Sequence, residues 1–143
     1  MTKKHYTLDA FQKVATKMAQ NITPSTNATV LALHGDLGAG KTTFVQAFAK
    51  ALGVRESVNS PTFVMQKQYT LEGQKFSKLI HIDAYRLENA RELEVLDWRQ
   101  QLCDPGNLIV IEWAERVADV LPSDAQHMRF TYIDDDTRSV MTT

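Results

Sequence analysis

Gly35-Asp36-Leu37-Gly38-Ala39-Gly40-Lys41-Thr42 fits the spacing G-x-x-x-x-G-K-[ST] at each required position. Its glycines permit a turn in which successive backbone N–H groups point inward at phosphate oxygens, and a helix starting there adds its positive end. Lys41 supplies a point charge for the β- and γ-phosphates, and Thr42 offers a hydroxyl to Mg²⁺. The competing reading is a chance match in a glycine-rich turn. The flanks oppose it. Ala28–His34 reads as a short buried strand entering the loop, and Phe44, Ala47, Phe48, Ala51 and Leu52 recur behind it at helical spacing, with Gly53 where a C-terminal cap belongs.

Two further apolar strands end in an acid. Leu79-Ile-His-Ile82 runs into Asp83, and Leu108-Ile-Val-Ile111 runs into Glu112. In an open α/β sheet the ligand lies beyond the carboxyl ends of the strands, so both acids are expected to face the phosphates. One holds Mg²⁺, directly or through water, and the other orients the attacking water; the sequence leaves open which does which. Either could instead be a plain helix cap. The polar loop Asn59-Ser-Pro-Thr62-Phe63 follows the helix, and Thr62 is a candidate for approaching the γ-phosphate or metal, with an ordinary turn as the alternative. Tyr85-Arg86 faces phosphate, a protein partner or solvent, Trp113 reads first as packing, and His34, His81 and Cys103 are too scattered for a metal site.

Around these motifs, Asp9-Ala-Phe-Gln12 has capping-box spacing, and Phe11, Val14, Ala15 and Met18 follow on one helical face. Thr62–Thr70 and Phe76–Asp83 form a hairpin about Glu72-Gly73. A second capping pattern, Asn89-Ala-Arg-Glu92, opens a helix with Leu93 and Leu96, and Ala114–Val120 is helical up to Pro122. His127–Ile133 alternates as a half-exposed strand near the sheet edge. The expected fold class is α/β: a P-loop NTPase three-layer sandwich with a mixed, partly parallel central sheet and helices on both faces.

The 143 residues fit one domain, 1–143, with 43% apolar and 23% charged residues and a net charge of −1. That balance argues against unaided nucleic-acid binding. One cysteine cannot form an internal disulfide, and neither a signal peptide nor a membrane span is legible, so the cytoplasm is the expected location.

The chain closely resembles the TsaE family, small bacterial P-loop ATPases required for making threonylcarbamoyladenosine in tRNA. The resemblance covers nearly the whole chain and rests on Gly35–Thr43, Ser60-Pro-Thr-Phe63, His81-Ile-Asp-Ala-Tyr-Arg86 and Ile111-Glu-Trp113, in that order. The first block is shared by many ATPases; the other three together are specific. The resemblance implies that Gly35 to Thr43, Thr43 included, bind ATP, that Ser60–Phe63 and His81–Arg86 are switch-like, and that Glu112 is a Mg²⁺-linked acid needed for hydrolysis. It implies partners of the TsaD and TsaB types, with tRNA met only indirectly through that complex and the ATP cycle supporting repeated turnover. Near the N-terminus the chain departs from the family, with Phe11 and Ala15 where related chains often carry Thr and Gly. Leu8 and Phe11 are candidate adenine contacts there, and Arg138 is a candidate nucleotide contact.

Three other uses of such a loop compete. A small-molecule or nucleoside kinase needs a lid with catalytic arginines, and here the hairpin is short, with Arg86 and Arg91 the only nearby pair. A GTP-dependent switch usually carries an Asn/Thr-Lys-x-Asp segment, which the chain lacks. An inert nucleotide-binding module is the third.

Overall fold

The computed structural model describes residues 2–36, 38–59, 61 and 65–142, with the side chains of 2–4 and 8 outside that description. Strand β1 (Thr2–Thr7) passes directly into α1 (Leu8–Asn21). Thr7, rather than Asp9, is the N-cap: its hydroxyl accepts the Ala10 N–H at 3.3 Å, and Asp9 lies in the first turn, where its charge suits the helix dipole. The expected apolar face holds, with Phe11 and Ala15 buried and Val14 and Met18 half-buried.

Strand β2 (Thr29–His34) is buried throughout and leads through the glycine loop into α2 (Lys41–Ala51). Strands β3 (Gln66–Thr70) and β4 (Lys78–Asp83) form the expected antiparallel hairpin. A first 3-10 helix (Ala90–Leu96) and α3 (Trp98–Leu102) then lead to β5 (Asn107–Glu112). Asn89 caps the 3-10 helix through the Arg91 N–H, but Glu92 bonds the Glu88 N–H, so the reciprocal capping box does not close and the segment winds more tightly than an α-helix. A second 3-10 helix (Ala114–Val120), broken at Val117, precedes β6 (Gln126–Asp134) and β7 (Thr137–Thr142).

The strands form one sheet in the order β1-β7-β6-β2-β5-β4-β3. Its centre, β6-β2-β5-β4, is parallel, and antiparallel strands flank it on both sides. Strand β6 is therefore not at the edge, because β7 and β1 extend the sheet beyond it. Helices α1 and α2 close one face over Leu31, Leu33, Leu79 and Val110; α3 and the two 3-10 helices close the other over Val30, Ile80, Ile82 and Ile109. The alternation of β-strand side chains thus feeds two cores, giving the three-layer α/β sandwich. Among the described residues no helix is long and apolar enough to cross a membrane.

The join between β2 and the loop is sterically tight. Gly35 has φ +138°, and a Cβ on it would stand 2.4 Å from the Phe130 carbonyl oxygen of β6. Gly35→Ala must therefore push the loop off β6, and we expect it to lower unfolding stability by about 2 kcal/mol or more in urea titration. Parental stability would contradict this packing.

Candidate functional site

The glycine loop delivers Lys41 to an electrostatically incomplete place. Helix α2 begins at Gly40, whose φ of +104° suits a residue without Cβ, and its first turn contains no acidic residue. Lys41 stands at its first position and is only 5% exposed. Its ammonium donates to the carbonyls of Gly35 and Asp36 and lies 4.1 Å from the centroid of the Trp113 ring. Burial pushes its pKa below the ordinary 10.5, while Glu112, Glu115, Asp36 and Asp83 pull it back up. A buried cation at the positive end of a helix is unfavourable on two counts, and an anion brought to the loop relieves both.

Parallel register sets the two acids side by side: Glu112 pairs with Leu33 of β2 and with Asp83 of β4. Their hydrogen bonds separate them. Thr42 donates its hydroxyl to Glu112 Oε1 at 2.9 Å, so Glu112 is turned to the loop. Asp83 is also buried, and its Oδ1 accepts the Tyr85 N–H at 2.9 Å in a tight turn. Trp113, directly after Glu112, adopts φ +57°, which ends β5 sharply. Its indole lies 5.1 Å from the Tyr85 ring, with the Arg116 guanidinium near both. Arg86 is exposed beside this cluster.

Among the described residues no group of three or more His, Cys, Asp or Glu is placed to hold a metal ion. Mg²⁺ is commonly held by one or two carboxylates together with phosphate oxygens. Thr42 and Glu112, already joined, are the residues that fit it.

The remaining candidates fall around the loop. Asp36 is exposed, with its carbonyl also accepting the Ala39 N–H at 3.1 Å; Ala39 is buried and Thr43 half-buried. Arg138 donates from Nε to the Gly38 carbonyl at 3.1 Å and stacks on Tyr132, so it braces the loop from β7. Phe11 has no exposed surface and packs edge-on against Phe44 and Phe130, with its ring 3.3 Å from where a Gly40 Cβ would stand. The structure thus places Phe11 beneath the loop as support, without a face open to a base. Leu8 opens α1, its side chain undescribed, and Leu37 and Thr62 lie outside the described residues.

Three histidines make contacts around the loop and strand ends: His34 and His81, set aside above as too scattered for a metal site, and His127. His81 contacts Glu112 through Nε2 at 2.5 Å. On the opposite face, His34 contacts Glu115 through Nδ1 at 3.0 Å and His127 through Nε2 at 2.9 Å. Burial lowers the His127 pKa, with His34 and Arg129 adding to the effect. The signal was the strand alternation itself. It puts His34 and His127 on one face, but only once β2 and β6 are known to be adjacent.

A glycine loop between a central parallel strand and a helix, with carboxylates ending the next two parallel strands, defines an α/β protein of the P-loop fold. The chain belongs to the TsaE family: the family profile, described as threonylcarbamoyl adenosine biosynthesis protein TsaE, matches residues 6–140. It is 39% identical over 111 residues to the Bacillus subtilis tRNA threonylcarbamoyladenosine biosynthesis protein TsaE, covering 78% of this chain and 66% of that one. With the Nostoc protein of the same name it shares 40% identity over 116 residues, 79% of this chain and 68% of the relative. The matched segments thus span about two thirds of those relatives. The crystal structure of Bacillus subtilis YdiB superposes with a TM-score of 0.77 at 28% identity, covering 99% of this chain and 83% of the other.

The Glu115–His34 contact has a measurable acid signature. Burial raises the Glu115 pKa, but the His34 hydrogen bond, a backbone bond and the His34 and Lys41 charges bring it below the ordinary 4.5. A depressed carboxyl pKa stabilises the fold above the unfolded-state value, and that gain is lost as pH falls through the folded-state value. Glu115→Gln is therefore expected to be less stable than the parent at about pH 7, by under about 1 kcal/mol because the group is half-exposed. The gap should close below about pH 4 in urea unfolding. A gap unchanged in acid would contradict the assignment.

Proposed function

We infer that the protein binds ATP with Mg²⁺ at Gly35–Thr43 and hydrolyses it. Its role would be that of an accessory ATPase in forming threonylcarbamoyladenosine in tRNA. The observation that carries this reading is the Thr42–Glu112 hydrogen bond beside a buried lysine at a helix N-terminus. The names of the matched relatives support the pathway.

In this reading Lys41 leaves the carbonyls of Gly35 and Asp36 and turns to the β- and γ-phosphate oxygens, which restores a partner to a buried charge. Backbone N–H groups of the loop and the start of α2 hold the phosphates in line. Thr42 and Glu112 would hold the metal side, where Mg²⁺ would neutralise phosphate charge. Asp83, at the end of the adjacent strand, is assigned to orienting water. The cytoplasm is the location this role requires.

The partners follow from size and charge. With a net charge of −1 the chain has little field to capture tRNA alone, so subunits of the TsaD and TsaB types would present the substrate. The test is steady-state ATP hydrolysis with and without those subunits, alongside titration with a fluorescent ATP analogue. The parent should be slow alone and faster with partners. Lys41→Ala should remain folded and lose nucleotide binding, whereas Glu112→Ala should keep nucleotide and lose hydrolysis by about 100-fold or more. Parental turnover in Glu112→Ala, or parental affinity in Lys41→Ala, would overturn the reading.

A further inference from the structure

We propose that His81 is a positioning residue that fixes the Glu112 carboxylate for the metal side of the site. The proposal rests on the ATP·Mg²⁺ reading above and adds a residue to it. His81 has no exposed surface and interrupts the aliphatic run Leu79, Ile80, Ile82 in β4, between parallel β5 and antiparallel β3. An imidazole there costs free energy that a leucine would not, so its contacts decide what it does. Only one ring nitrogen has a partner: Nε2 meets Glu112 Oε2 at 2.5 Å, while Nδ1 is buried with none among the described residues.

That asymmetry assigns the tautomer. A carboxylate accepts, so Nε2 carries the hydrogen. A hydrogen on Nδ1 would be a buried donor without an acceptor, so Nδ1 is bare. His81 therefore donates to Glu112 through Nε2 and fixes the carboxylate. Strand geometry makes this possible. His81 is level with Val110, two residues before Glu112, and alternation puts both side chains on the face covered by α2, where Thr42 lies.

The two carboxylate oxygens are thus divided, Oε2 to His81 and Oε1 to Thr42. Glu112 is also the charge that acts most strongly on Lys41. Without the His81 donor the carboxylate is free to turn toward that ammonium, which would withdraw an oxygen from the cation. His81 holds these two charges to separate tasks.

The test has two parts. In nucleotide-free parent protein, NMR of the histidine ring nitrogens should find His81 protonated at Nε2 alone, protected from exchange and displaced by Glu112→Gln. Second, binding of a fluorescent ADP analogue is measured in EDTA and in Mg²⁺. His81→Leu should match the parent in EDTA within about 3-fold and lose about 10-fold or more of the affinity gained from Mg²⁺. His81→Gln, whose amide N–H reaches toward the Nε2 position, should recover most of that gain. An Nδ1–H tautomer, equal impairment of both variants, or an intact Mg²⁺ gain in His81→Leu would overturn the proposal. Failure of the parent to bind the analogue in either condition would instead overturn the ATP·Mg²⁺ reading, and this proposal with it.

Discussion

A lysine ammonium taken out of water and set at the positive end of a helix must be met by negative charge, and the architecture around Lys41 answers that requirement. Two loop carbonyls and the face of Trp113 hold it, and four carboxylates act on it from a distance. These contacts stabilise the ammonium, yet burial still dominates and its pKa stays low. The loop is thus shaped around an anion, and the helix, the glycines and the lysine converge on the same demand.

The parallel centre of the sheet supplies the opposite need. Because β2, β5 and β4 run the same way in matched register, their carboxyl ends finish together, and Glu112 and Asp83 arrive beside the loop without any long-range loop having to carry them. In the proposed reading, two carboxylates near a lysine and a hydroxyl would serve a cation bound to an anion. Phe11, Phe44 and Phe130 stiffen the floor of this arrangement, and Arg138 ties its outer rim to β7.

Much of this was legible in the amino-acid order, because strand, glycine loop and amphipathic helix are local signals. The acids at the ends of buried strands were legible for the same reason. The division between them was not, since it depends on which one meets Thr42 across 70 residues of sequence. Strands β1 and β7 escaped notice because neither has an apolar run, and each is stabilised by lying against the other. The half-exposed pattern of β6 was legible, but the two strands that extend the sheet beyond it were not. Phe11 sits on the apolar face of α1, and its helical pattern already pointed inward; the departure from related chains drew attention to a base contact instead. His81 looked isolated because its partner is 31 residues away, on the neighbouring strand.

The most direct measurement is calorimetric titration of the intact chain with a nonhydrolysable ATP analogue, once with Mg²⁺ and once with the metal chelated. If the buried lysine and the Thr42–Glu112 pair form one site for a metal-bound phosphate chain, binding will be saturable at one nucleotide per chain and weaker without metal. An absence of binding heat and of any thermal stabilisation by the analogue, with the protein folded, would contradict the account.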